Sequence, residues 1–371
     1  MGENMVVGRT RRSIVCSLGL ALLAAGMGCG VSAPSTPSTS GGATEKGPTV
    51  KGPTEGGGAA VSLLNVSYDP TRELWKELNT AFAAAHKAET GTEVTIQQSH
   101  GASGSQARAI IDGLDGDVAT LSLWPDTAAL QGKGLIPAGW EERLPNRSLA
   151  YTSTVVFVVR KGNPKGIKDW ADLVKEGVEV ITPNPKTSGN GRLSFLGAWG
   201  SVLEAGGDEA AAKEFVAKLY KNVPVLDTGA RGSTSTFAQK GIGDVHLTME
   251  SEARLEVEEA GGELEVVYPS LSILHEPHLT IVDKVVDKKG TRAVAEAYLK
   301  FLWTPAGQEI IAKHHYRPID ADVLAKHAAD FPPMKLLPIT RLAKDWTDAQ
   351  AKFFADGGVF DSLSNPDAAA K

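Results

Sequence analysis

The chain has 371 residues, 42% of them hydrophobic and 22% charged, with a formal net charge of −6. That length can bury a substantial core and suggests two domains, and the composition excludes a disordered or fibrous chain. An acidic balance without long basic runs excludes nucleic acid as the main partner, so any anion must be recognised by local dipoles and not by the overall field.

In chain order, the first predicted element is a leader. Arg9, Arg11 and Arg12 precede an apolar run at residues 13–25, the basic and hydrophobic regions of a signal peptide. The run is too short for a comfortable membrane span. Thr10-Arg11-Arg12 fits a twin-arginine export signal. Gly26-Met27-Gly28-Cys29 ends the leader where a bacterial lipoprotein signal carries its lipidated cysteine, although Gly26 stands where a leucine is usual. Residues 1–29 are therefore expected to be a lipoprotein-type signal peptide with Cys29 acylated, and the membrane is reached only through that anchor. Residues 30–60 are rich in Gly, Ser, Thr and Pro, a composition that buries no core and reads as a flexible linker. Cys16 and Cys29 are the only cysteines, so the remaining body has no disulfide, thiol nucleophile or thiolate metal site.

The body opens with a buried strand at 63–68. It runs into Asp69-Pro70, where Asp69 is expected to cap a helix carrying the stripe Leu74, Trp75, Leu78 and Phe82. A second strand at 94–98 leads through Ser99-His-Gly-Ala-Ser-Gly104 into a helix with Ala107, Ile110 and Ile111 on one face. A third strand at 118–123 ends at Trp124-Pro125-Asp126. The β-branched run 151–160 reads as a crossover into a second lobe. That lobe is predicted to hold a strand at 178–182, a helix after Gly191, a helix at 209–219 and strands at 223–226 and 244–248. Residues 271–282 read as the return crossover and 291–302 as a helix of the first lobe. The strand–helix alternation implies an α/β fold whose sheets are mostly parallel and flanked by helices. The boundaries are set at 61–152 for the first part of lobe I, 153–272 for lobe II, and 273–371 for the second part of lobe I with C-terminal helices.

Four strand-to-helix turns share one design: Asp69-Pro70, Gly101 to Gly104, Ser188 to Gly191 and Gly229 to Ser233. Each helix start exposes unpaired backbone N–H groups at the positive end of the helix dipole, beyond the carboxyl ends of the strands where ligands bind in such sheets. The stretch Thr182-Pro-Asn-Pro-Lys-Thr-Ser-Gly-Asn-Gly191 carries the design most fully. Ser188, Gly189 and Asn190 are read as oxyanion donors, the bland alternative being that Ser188 only caps the helix. One terminus contributes roughly 0.3–1 kcal/mol toward an anion, whereas micromolar binding needs about 8 kcal/mol, so several turns must converge.

Leu63-Leu-Asn-Val-Ser-Tyr-Asp-Pro-Thr-Arg-Glu73, Gln98-Ser-His-Gly-Ala-Ser-Gly104, Ile181-Thr-Pro-Asn-Pro-Lys-Thr-Ser-Gly189 and Asp227-Thr-Gly-Ala-Arg-Gly-Ser233 resemble the periplasmic sulfate-binding proteins, receptors of sulfate/thiosulfate ABC transporters. The likeness continues through Tyr316-Arg-Pro318 to near Asp361. It implies a type II, Venus-flytrap fold, a periplasmic monomer that closes on sulfate or thiosulfate, and ABC permease subunits as partners. No cofactor is implied. It also implicates Ser103, Ser188, Gly189 and Ala230 in binding, with Asp69 and Arg231 as supporting cleft residues. Two departures stand out. Asn190 replaces a glycine, and Met249 replaces a tryptophan whose indole N–H donates to the ion. Trp124, at a strand end, is a candidate for the missing donor, the alternative being that it packs over the cleft floor. The departures leave open a receptor for another tetrahedral oxyanion, or a sensor without transport.

Catalytic readings are weaker. His100, Ser103 and Asp69 could be imagined as a hydrolase triad, but no Gly-x-Ser-x-Gly elbow follows a strand. Adjacent His314 and His315 do not suit one metal ion, and Glu250, Glu252 and Glu256 read as a solvated acidic face. No glycine turn matches a dinucleotide fingerprint or P-loop.

Overall fold

The computed structural model describes residues 60–364. The signal peptide, Cys29 and all of the linker except Ala60 lie outside the described residues. Two four-stranded sheets organise the rest. The first contains β1 (Val61–Tyr68), β2 (Val94–Gly101), β3 (Val118–Thr120) and β10 (Thr280–Ile281), in the order β10-β3-β1-β2. The first three strands are parallel and β10 is antiparallel to β3. The second contains β5 (Val155–Arg160), β6 (Val180–Ile181), β7 (Val245–Met249) and β8 (Leu264–Val267), in the order β6-β7-β5-β8. Only β6 and β7 pair in parallel there, because β5 enters directly from the other lobe and no βα crossover fixes its direction.

Side-chain alternation explains how the first sheet is covered on both faces. Leu63 of β1 packs with Leu74, Trp75, Leu78 and Phe82 of α1 (Arg72–Thr90), while Val66 packs with Ala107 and Ile110 of α2 (Ser103–Ile111). The apolar residues of α1 recur at helical spacing, so one stripe is buried and the opposite face is wet. The helix stops at left-handed Gly91, whose N–H returns to the Lys87 carbonyl at 2.9 Å.

The chain crosses between the sheets on two strands. Ser153 and His275 form an antiparallel bridge there, with reciprocal backbone bonds of 3.1 and 2.9 Å. The C-terminal helices, grouped with lobe I in the boundaries set from the sequence, pack on the second lobe instead, because their aromatic residues find Phe195 and Trp199 there. β12 (Lys335–Leu337) pairs with β9 (Leu271–Ile273), and Trp346, Phe353, Phe354 and Phe360 pack with Phe195 and Trp199. The strand expected at 223–226 does not form: Pro224 has no N–H for a ladder, and the segment runs as irregular chain. Glu250, Glu252 and Glu256 are buried and not solvated, each held by a basic partner: Arg317, Arg231 and His246 respectively. Among the described residues no helix is long and apolar enough to cross a membrane.

Candidate functional site

The four strand-to-helix turns and the end of β7 meet at one small cavity. Tyr68, Asp69 and Pro70 follow β1, Gly101, Ala102 and Ser103 open α2, and Ser122 follows β3. From the other lobe come Ser188, with Gly189 and Asn190 opening α5 (Gly189–Glu204), Ala230 opening α7 (Ala230–Thr234), and Met249 ending β7. The space is about 10 Å³, far below the roughly 300–1,000 Å³ of ordinary small-molecule pockets. It suits a small ion. No Lys, Arg or His lines it.

The amides at these helix starts precede any possible intrahelical acceptor. Among the described residues, the N–H groups of Ser103, Gly189, Asn190 and Ala230 have no protein partner. Ser188 reconciles its two readings. Its amide donates to the Asn184 carbonyl at 2.9 Å, and its hydroxyl oxygen accepts weakly from the Gly191 N–H at 3.4 Å. That cap uses a lone pair and leaves the hydroxyl proton available to a ligand. Ser103 differs: its hydroxyl donates to Asp126 Oδ2 at 2.6 Å and accepts from the Ser122 N–H at 3.0 Å. Only its backbone N–H remains to offer.

Asn190 adopts helical backbone, so the replacement of a glycine brings no left-handed strain. Its side-chain amide donates to the Leu247 carbonyl at 3.2 Å, and its Oδ1 is buried without a partner. Met249 is buried and presents a thioether with no donor. Trp124 does not make good that loss. It sits at the first position of α3 (Trp124–Gly132) with its indole N–H on the Glu141 carboxylate, and it lines a different cavity. A strand end fixes where a residue starts, but its rotamer followed the nearby acid. Asp69 does not cap a helix either; its Oδ1 accepts from Arg72 at 2.8 Å.

The lobes touch closely around the cavity. A Cβ on Gly189 would lie 2.5 Å from Ser122 Oγ, and one on Gly229 would lie 2.5 Å from Asp69 Oδ2. Glycine at both positions lets backbone from one lobe approach side chains of the other. Two ion pairs also cross. Arg192 of α5 donates to both oxygens of Asp126 at 2.8 Å, with both side chains buried. Arg231 lies outside the cavity lining and contacts Glu73 of α1 and Glu252 of α8 (Glu250–Glu259), each at 2.9 Å. Burial pushes the Glu252 carboxyl up to about 6 against the pull of Arg231.

Ser122 and Tyr68 line the cavity and were not singled out in the sequence. The signal for both was position, at or just beyond the carboxyl end of a strand. His275 supports Ser122 from the crossover. Its Nε2–H donates to the Ser122 carbonyl at 2.7 Å, and burial lowers its pKa to about 4. His100 is likewise held near 4, by burial and by Arg72 and Arg231, and no bond joins it to Ser103. The imagined triad is not assembled. What is assembled is a ring of hydrogen-bond donors around a space the size of a small anion.

A family model described as bacterial extracellular solute-binding protein matches residues 64–317. The thiosulfate-binding protein of Pseudomonas aeruginosa is 54% identical over 310 residues, 83% of this chain and 93% of that protein. The sulfate-binding protein of Escherichia coli is 55% identical over 306 residues, 82% of this chain and 93% of that protein. Among solved structures, the sulfate-binding protein SubI from Mycobacterium tuberculosis superposes with a TM-score of 0.73 at 32% identity, covering 79% of this chain and 99% of that one. The chain belongs to the bacterial extracellular solute-binding proteins.

Proposed function

We propose that the protein is an extracytoplasmic receptor for sulfate or thiosulfate, which it captures between its lobes and delivers to an ABC permease. In this reading the leader exports the chain and acylated Cys29 tethers it to the membrane. The carrying observation is the convergence of unpaired amides of Ser103, Gly189, Asn190 and Ala230 on one cavity without a cationic side chain. Each helix start contributes roughly 0.3–1 kcal/mol when exposed and more when desolvated. The Ser188 hydroxyl adds a charge-assisted bond of about 1.5–3 kcal/mol. The names of the 54–55% identical relatives support the same ligand class.

A second reading concerns which anion is preferred. Met249 leaves one wall without a donor. Sulfate has four equivalent oxygens that need donors, whereas thiosulfate can turn its weakly accepting terminal sulfur toward a thioether. The Met249 wall therefore favours thiosulfate. Isothermal titration of the purified chain with sulfate, thiosulfate, phosphate and molybdate tests both readings. Saturable heat with the two sulfur oxyanions is expected, and thiosulfate should bind at least as tightly. No heat with either would remove the receptor assignment, and a preference for phosphate would overturn the ligand class.

A further inference from the structure

The second cavity, which holds Trp124, has a volume of about 330 Å³ and lies on the crossover side of the molecule. That is within the roughly 300–1,000 Å³ range of small-molecule sites. Trp124 and Glu141 come from the first lobe, Glu276 and His278 from the return crossover, and Ile339 and Trp346 from the C-terminal segment on the second lobe. Its other charged groups are already engaged. Glu141 accepts from Trp124 and faces Arg147, Arg147 sits 3.1 Å from Glu142, and Asp345 caps α13 (Trp346–Ala349).

Two groups have unspent hydrogen-bonding capacity. Glu276 is half-buried and has no ion-pair or hydrogen-bond partner for its carboxylate among the described residues. Burial holds that carboxyl above its usual range, opposed only by Arg147 at a distance. His278 is 5% exposed, and its Nδ1–H donates to the Glu276 carbonyl at 3.0 Å, since a carbonyl can only accept. That tautomer leaves Nε2 with a lone pair and no partner among the described residues. A half-buried carboxylate with no ion-pair partner is costly unless something cationic joins it. The indoles supply faces that attract cations.

We propose that this cavity is a second ligand site, for a protonated amine with an apolar body. The ammonium group sits against Glu276 and donates one N–H to His278 Nε2, while its body lies along Trp124, Trp346 and Ile339. Because the walls belong to both lobes, an amine that fits the closed arrangement stabilises closure, and anion and amine raise each other's affinity reciprocally.

The test is titration of the full chain with phenethylammonium chloride, read by calorimetry and indole fluorescence. Saturable one-to-one binding is expected, weakened about tenfold or more in Glu276→Gln by loss of the charged acceptor. Benzyltrimethylammonium, which has the charge and ring but no N–H, should bind about fivefold or more weakly to the wild type, as expected for the loss of the hydrogen bond. Absence of saturable binding, undiminished binding in Glu276→Gln, or equal binding of the quaternary probe overturns the site. If Glu276→Gln fails to melt cooperatively, the two probes on the wild type decide. Sulfate and thiosulfate titrated on the same samples report the anion assignment separately: amine binding without anion binding leaves this site standing and removes only the receptor reading.

Discussion

At the scale of single residues, the cavity separates what a side chain contributes from what its backbone contributes. Asn190 brings an N–H at the start of α5 while its amide is spent on Leu247. Asn190→Ala should therefore leave the anion Kd within about threefold, since the helix N–H survives; a loss much larger than that would mean the side chain touches the ion. Met249 is the opposite case. Met249→Gln nearly conserves volume and adds a donor, so sulfate affinity should rise about tenfold while thiosulfate changes little. Titration of both anions checks it, and equal gains for both would sink the sulfur-wall argument. Ser188 and Gly189 were legible in the sequence because a glycine turn between strand and helix is a local signal. The direction of the Trp124 indole was not legible, because it depends on Glu141 seventeen positions away in a separate turn. Ser103 is intermediate: its place was readable, but Asp126 took its hydroxyl.

At the scale of elements, the anion turn depends on its supports. Lys186, inside the turn, donates to the Phe354 and Ala355 carbonyls at 3.0 and 3.2 Å and to Asp361 at 2.9 Å. One ammonium thus ends the helical segment after α13 and ties α14 (Val359–Ser364) to the start of α5. Cutting this clamp in Lys186→Met should loosen the turn and weaken the anion several-fold, while costing about 1–3 kcal/mol of stability from unsatisfied carbonyls. Anion titration and thermal melting together check it; unchanged affinity would show that the turn holds its shape unaided. Gly189 tests the other side of the same helix. Gly189→Ala drives a methyl into Ser122 and should block closure, with Kd rising at least about tenfold in a protein that still melts cooperatively. Ser122→Gly in the same chain removes the clash and should recover much of the affinity, a double-mutant cycle that additive effects would contradict. The sequence conveyed the βα rhythm because hydrophobic period is local. It did not convey which lobe the C-terminal helices join, because Phe353 and Phe354 find Phe195 across more than 150 positions.

At the scale of the whole molecule, buried titratable groups gather where the lobes and crossovers meet, and they give stability a readable pH dependence. His100, His275 and His278 are each held near 4 by burial, against about 6.5 in an unfolded chain. A base with a depressed folded pKa contributes stability that is complete above 6.5 and is lost as pH falls toward 4. Glu252 acts in the reverse sense: its carboxyl, raised to about 6, contributes stability below its ordinary value near 4.5 and loses it as pH rises through 6. Burial also lowers His315, which adds to the histidines, and raises Glu276, which adds to Glu252; four groups oppose two, so the net change on acidification from pH 7 to 4.5 should be destabilising. His275 is fully buried beside the crossover bridge and contributes on the order of 3 kcal/mol. Differential scanning calorimetry should show Tm falling by several degrees over that window. His275→Gln, which keeps a donor for the Ser122 carbonyl but cannot titrate, should flatten part of the slope, and Glu252→Gln should steepen it. A flat Tm across the window, or a slope untouched by His275→Gln, would place the proton uptake elsewhere.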